Sequence, residues 1–309
     1  MKGKGYMSDF GVGPILAATV TVTDLGDAIK RYTNVVGYVA DAAGVVSTAQ
    51  AESWGAPAMV GRAWQLMRPQ SHEPGWIRLV EGTRPASYRT LGHFGWGAIE
   101  ILLRNTDDMH ARMKGTDFTI IGEPHPLKSS PDIKAMQVVG PDGEALYLTN
   151  VPKGASPIHE LPQAQCDVDR IFIMVLAVPN FAATHEDFAA RFGLAKTTER
   201  SRGRNFLGAE YGLEDAGQPL PMSTVQLDGL SIIQVDGMQP TATPRPCAQG
   251  ELPPGIALVT MAHTSTDVFT EEALGPTYVG DASWPYQGGN AVTVQGAGCE
   301  LYELVTPPA

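Results

Sequence analysis

The segments VVGPDGEALYLTNVP (138–152) and VQGAGCELYELVTPP (294–308) match at a constant offset: Val138/Val294, Gly140/Gly296, Glu144/Glu300, Leu148/Leu304 and Pro152/Pro308. Each reads as a strand, a glycine-containing turn and a second strand. Each also closes one half of the chain, which points to an internal duplication.

The two halves open alike as well. Residues 15–25, ILAATVTVTDL, form a β-branched strand pattern. GDAIKRYTNVVGY follows, with Ala28, Ile29, Tyr32 and Val35/Val36 at helical spacing and Asp24 as N-cap. In the second half VDRIFIMVLAVPNF is the strand, and AATHEDFAARFGL is a helix ending near Gly193. Phe188 stands where Tyr32 stands. Within each half the plan recurs. FGWGAIEILLRN (94–105) is a strand, TDDMHARMKG a helix capped near Thr106 or Asp107, and GTDFTIIGEP, IKAMQVVG and EALYLTNV are strands. GIALVTMAHT (255–264) is a strand, STDVFTEEAL a helix, and NAVTVQG and CELYELVTP are strands. The fold class expected is α+β: four βαβββ modules paired into two open, barrel-like mixed-sheet domains. Proline- and glycine-rich loops at 66–75, 123–133, 152–163 and 238–254 separate the copies. The expected division is 1–155 and 164–309, each with two modules, joined by a linker at 156–163.

Bulk properties narrow the function. The 309 residues suit two domains, and 43% hydrophobic with 18% charged residues is globular composition. A net charge of −11 disfavours nucleic acid and anionic membrane surfaces as partners. No apolar segment suits a secretory signal or a membrane span, so the expected location is cytoplasmic. Cys166, Cys247 and Cys299 are odd in number and widely spaced, which predicts reduced thiols.

The strand ending in T-D-L, the helix carrying a Tyr before V-x-G, and the later D-G-x-x-x-x-L strand are carried by VTDLGDAIKRYTNVVGY and GPDGEALYL. Together they resemble the modules of the vicinal-oxygen-chelate superfamily of glyoxalases, bleomycin-resistance proteins and extradiol dioxygenases. The likeness covers nearly the whole chain, and four modules resemble the dioxygenase layout, in which two modules build each half. The resemblance implies a small-molecule cavity and a divalent ion held by a His on a module's first strand and a Glu on its last.

The matching positions here differ. In the N-terminal half they are Ala17 and Arg78, then Ala98 and Tyr147. In the C-terminal half they are Arg170 or Ile173 with Gln234, then Gly255 with Glu303. Only Glu303 matches the ligand pattern, and a single carboxylate holds iron or manganese poorly. No metal or other cofactor is therefore expected. If an Fe or Mn ion is present, Glu303, His263 and His93 are the candidates.

Strand alternation places Glu100 on the face of Ala98. Glu100, Arg78 and Tyr147 then form a candidate acid–base cluster in one cavity, or a structural ion pair with a packed tyrosine. Arg170, Gln234, Glu303 and His263 form the candidate cluster in the other, with a helix-capping role as the plainer reading of His263. Trp64, Trp76, Trp96, Phe172 and Met174 suit an apolar, aromatic or terpenoid-like ligand, or the core. The function expected is acid–base lyase or isomerase chemistry on a small, largely apolar, oxygenated molecule, in a chain that can form homodimers. The alternatives are a metal-free small-molecule binding protein and an extradiol-type dioxygenase with atypical ligands.

Overall fold

A computed structural model describes residues 11–128, 130–156, 159–197, 199–203, 219–238 and 242–306. The first module contains strands β1 (Val12–Val22), β2 (Val39–Val45), β3 (Ala63–Arg68) and β4 (Trp76–Glu81). The second contains β5 (Gly95–Leu103), β6 (Thr119–Leu127), β7 (Ser130–Val139) and β8 (Ala145–Asn150). The third has β9 (Val168–Val178), β10 (Arg200–Gly203), β11 (Pro219–Gln226) and β12 (Ile232–Gly237). The fourth has β13 (Gly255–His263), β14 (Tyr278–Val279), β15 (Asn290–Gln295) and β16 (Leu301–Thr306). In every module the first strand runs parallel to the last.

The sheets do not follow the halves of the chain. One eight-stranded sheet has the order β14-β15-β16-β13-β1-β4-β3-β2, and the other β10-β11-β12-β9-β5-β8-β7-β6. The first module therefore shares a sheet with the fourth, and the second with the third. This corrects the expectation that consecutive modules one and two, and three and four, build the two sheets. The first strands of the paired modules lie antiparallel at the centre of each sheet, Ala17 facing Thr260 on β1 and β13, and Glu100 facing Ile173 on β5 and β9. A strand so placed has neighbours on both edges, and β1 is buried at every position.

Helix α1 (Leu25–Arg31) is capped by Asp24, whose side chain accepts the Asp27 N–H. It continues as a single π-helical turn, Tyr32–Val36, ending at Gly37. Helix α2 is Thr48–Ser53 and α3 is Thr106–Met113. Asn105 caps α3, not Thr106 or Asp107, because its carboxamide reaches the N–H groups of Asp107 and Asp108. Helix α4, Phe181–Phe192, ends at Gly193 in the left-handed conformation. The fourth module has no α-helix where one was expected, only a 3-10 turn at Asp267–Phe269. The run Thr264-Ser265-Thr266-Asp267-Val268 is poor in helix formers, and Phe269 docks against Phe192 at 5.7 Å. Among the described residues no helix is long and apolar enough to cross a membrane.

The duplicated turns have a shared physical purpose. Tyr32 Oη donates to Glu144 Oε1 at 3.3 Å, and Tyr302 Oη to Glu300 Oε1 at 2.6 Å. Both glutamates are buried, and a Cβ at Gly140 or Gly296 would collide with the glutamate side chain. The matched Gly/Glu pairs of the sequence are therefore two cradles for buried carboxyls. Burial pushes each carboxyl up to about 7.

A raised carboxyl pKa holds a proton in the folded state that the unfolded chain has released. Its stabilising contribution is complete below the unfolded value, near 4.5, and is lost as pH rises through about 7. Thermal melts from pH 5 to pH 8 are expected to show a falling contribution from these two groups. Relative to wild type, Glu144→Gln/Glu300→Gln should gain stability toward pH 8, by on the order of 3 kcal/mol per site at most. Parallel wild-type and variant curves would refute this.

Candidate functional site

The third residue of each module's last strand is Arg78, Tyr147, Gln234 or Glu303. The parallel ladders set these beside Thr19, Glu100, Val175 and Thr260 on the first strands. The first-strand positions are thus Thr19, Glu100, Val175 and Thr260, not Ala17, Ala98, Arg170 or Ile173, and Gly255. Counting from strand or helix ends does not fix which residue of the first strand lies beside the last strand, and that pairing is set by the parallel ladders.

Because the first and fourth modules share a sheet, Arg78 and Glu303 meet. Arg78 Nη2 lies 2.9 Å from Glu303 Oε2, with the side chains 2% and 1% exposed. Arg78 also donates through Nε to Thr19 Oγ1 at 2.9 Å and through Nη1 to Tyr286 Oη at 2.6 Å. Its guanidinium lies over the Trp54 ring at 4.8 Å. Glu303 Oε1 accepts from Trp54 Nε1 at 2.7 Å and Tyr286 Oη at 2.8 Å, and Oε2 accepts from Thr260 Oγ1 at 2.6 Å. Gln50 Nε2 donates to Tyr286 Oη at 2.8 Å.

Four donors satisfy the four lone-pair directions of the Glu303 carboxylate. Burial alone would raise its pKa. Arg78, followed by the Thr260, Trp54 and Tyr286 donors, outweighs that, and the carboxyl lies below its ordinary value. Burial raises the Tyr286 phenol well above its usual range, and Glu303 adds to this while Arg78 opposes it. Glu303 is therefore ionised, Tyr286 a neutral phenol and Arg78 a cation. Of the five guanidinium N–H groups, three are engaged by Thr19, Tyr286 and Glu303. The other two remain for an acceptor.

Arg78, Gln50 and Tyr286 line a cavity of about 150 Å³, whose walls include Trp64, Leu66 and Trp284. Trp284 stacks on Trp76 at 5.1 Å and donates to Leu16 O at 3.0 Å, which fixes the loop carrying Tyr286. Trp64 crosses to the edge strand β2 over Gly44, where a Cβ would press on the indole at 2.8 Å. Asp281, exposed at the rim, binds the Ser283 backbone N–H at 2.8 Å.

The other predicted groups lie elsewhere. Glu100 and Tyr147 are paired neighbours in the second sheet, where Thr149 Oγ1 donates to Glu100 Oε1 at 2.6 Å. They do not join Arg78, as expected, because their module lies in the other sheet. Gln234 also lies in the second sheet, its Nε2 donating to both Asp236 oxygens at 3.1 Å. Arg170 pairs with Glu73 at 3.2 Å. His263 Nδ1 contacts Ser265, and its ring packs edge-on against Phe269 at 4.9 Å, an apolar setting away from the Glu303 carboxylate. His93 stacks on Tyr88 at 5.7 Å and bonds Thr243. Glu303, His263 and His93 thus form no common ligand set. Trp96, Phe172 and Met174 are core residues. Sequence reasoning missed Thr19, Gln50, Trp54, Thr260 and Tyr286. Only the strand residues among them, Thr19 and Thr260, carried a usable signal, their position opposite Arg78 and Glu303.

The sequence matches no protein-family model and no curated protein. Solved structures do match. A point mutant of glyoxalase I from Zea mays aligns with a TM-score of 0.60 over 96% of this chain and 94% of that one, at 13% identity. A dioxygenase-like protein from Bacillus subtilis aligns with a TM-score of 0.61 over 96% and 85%, at 11% identity. The fold is that of the vicinal-oxygen-chelate superfamily. The metal that the sequence resemblance implies, held between a module's first and last strands, would here face Thr19, Arg78, Thr260 and Glu303. A guanidinium, two hydroxyls and one fully hydrogen-bonded carboxylate do not fit a divalent ion, which needs several neutral or anionic donors. The corresponding set in the second sheet, Glu100, Tyr147, Val175 and Gln234, offers one carboxylate and an apolar side chain and fits no better.

Removing one partner of the pair leaves an uncompensated buried charge. Glu303→Ala is expected to destabilise the chain by about 3–5 kcal/mol, whereas Arg78→Met/Glu303→Leu should recover most of that loss. Urea melts of both variants check this. A double variant no more stable than Glu303→Ala would refute it.

Proposed function

We propose that this vicinal-oxygen-chelate protein is an enzyme acting on a small, flat, largely apolar molecule with a carbonyl or enolate oxygen. The reaction is acid–base chemistry of the lyase or isomerase kind, in the Arg78–Tyr286 cavity and without a divalent ion. The observation that carries the reading is the buried Arg78 guanidinium, three of its five N–H groups engaged by the chain, in the wall of a cavity that Trp64 and Trp284 also line. A cavity of about 150 Å³ has the volume that holds a benzene-sized ring. A guanidinium at its base stabilises negative charge developing on an oxygen, the electrostatic task a metal ion serves elsewhere. Tyr286 and Glu303 act as a relay: the phenol oxygen takes the substrate's α-proton as its own O–H proton passes to the Glu303 carboxylate, and the reverse transfer returns a proton to the substrate carbon.

A second reading, sequestration without turnover, is favoured by one observation: every Glu303 lone pair is already taken. One experiment separates the two. Enolisable aryl ketones are screened by quenching of tryptophan fluorescence, and bound ones are followed by proton NMR in D2O. The enzyme reading predicts catalysed exchange of the α-protons, slowed about a hundredfold in Tyr286→Phe with KM little changed. Binding with no exchange above the uncatalysed rate would leave sequestration as the function. No binding of any such ketone would overturn both.

A further inference from the structure

The segments that join the modules also meet. Residues 82–94 link the first module to the second, and 238–254 link the third to the fourth. His93 bridges Thr243 in parallel, and the Phe94 N–H donates to Thr243 O at 3.1 Å. Between them opens a groove of about 460 Å³ lined in part by Ser87, Arg89, His93 and Thr243. It lies on the linkers and shares no lining residue with the Arg78 cavity.

Arg89 lines this groove, and Arg84 and Arg245 stand behind its wall against Tyr88; among the described residues none of the three has an acidic partner. Arg84 and Arg245 hold their guanidinium groups over the Tyr88 ring at 5.7 and 5.8 Å, and Tyr88 stacks on His93. Arg245 donates to the carbonyl oxygens of Pro254, Ile256 and Trp96, and its buried Nε has no partner. Arg84 donates to Pro141 O. Among the described residues none of Arg84, Arg89 and Arg245 forms an ion pair. That is unexpected in a chain with 33 acidic and 22 basic residues. Carbonyl oxygens solvate a guanidinium but leave its charge in place, and a groove with low-dielectric walls concentrates the resulting field.

His93 orders the groove without adding charge. Its Nε2 accepts the Arg89 backbone N–H at 3.1 Å, so the other nitrogen, Nδ1, faces Thr243 Oγ1 at 3.0 Å as the proton-bearing one. Burial, and then Arg245, lower its pKa, which agrees with a neutral ring. The imidazole thereby pins the backbone of Arg89 to the opposite linker, and the Ser87 and Thr243 hydroxyls add donors at the walls.

We propose that this groove binds a small oxyanion, the phosphate or carboxylate group of a metabolite, contacted by Arg89, with Arg84 and Arg245 adding positive charge from beside Tyr88. Bound there, the anion ties the two linkers together and neutralises the cluster that the fold leaves unpaired.

The test uses the full chain titrated calorimetrically with inorganic phosphate and, separately, with acetate, at constant ionic strength. Arg84 and Arg89 are exposed, so Arg84→Gln/Arg89→Gln should fold normally. Arg104→Gln, at an exposed arginine paired with Asp167, is the control for net charge. The expected result is saturable binding of at least one anion, weakened about tenfold or more in the double variant and unchanged in the control. Tighter binding of phosphate assigns a phosphate-bearing ligand, and tighter binding of acetate a carboxylate. No saturable binding of either anion overturns the proposal. So does binding that the double variant leaves intact, or that Arg104→Gln weakens equally.

Discussion

A single buried ion pair joins residues that the chain separates by 225 positions. Arg78 on β4 and Glu303 on β16 sit on opposite sides of the central β1–β13 pair, each beside a threonine of its own module. The pair is tolerable inside the protein only because every atom around it cooperates. Thr260, Trp54 and Tyr286 satisfy the carboxylate oxygens alongside Arg78, Thr19 and Tyr286 take two further guanidinium N–H groups, and Gln50 holds Tyr286. Those same groups set the chemistry proposed for the cavity: a carboxylate with its lone pairs occupied, a guanidinium with three of its five N–H groups engaged, and a neutral phenol between them.

Much of this was legible in the sequence, and the reasons it stopped are physical. Alternation and turn chemistry marked the strands, so Arg78, Tyr147, Gln234 and Glu303 were read on the last strands, where each is the third residue. The duplicated Gly140/Glu144 and Gly296/Glu300 matches foretold equivalent turns, which proved to be cradles for buried carboxyls. Strand partnering was not legible, because an alternating pattern states which face is buried and not which strand lies alongside. That is why Arg78 was grouped with Glu100 and Tyr147, and Glu303 with Arg170, Gln234 and His263. The register of first strand against last strand was equally hidden, and Thr19 and Thr260 went unnoticed. Tyr286 lies on a loop and Trp54 just beyond a short helix, where no periodicity marks the direction of a side chain.

The two sheets have diverged in chemistry while keeping one plan. The first sheet places opposite charges at facing last strands. The second places a phenol and an amide there, with Glu100 held by Thr149. Arg78 places a positive charge on the chain itself, at the wall of the cavity. That charge cannot be titrated away or chelated, because burial is outweighed by Glu303 and Tyr286 and the arginine stays protonated.

Crystals soaked in a manganese salt, with anomalous diffraction data, test this most directly. The account predicts no anomalous peak between β1, β4, β13 and β16, with Arg78 still bonded to Glu303. An ordered manganese ion bound to Glu303, with the Arg78 side chain displaced, would contradict it.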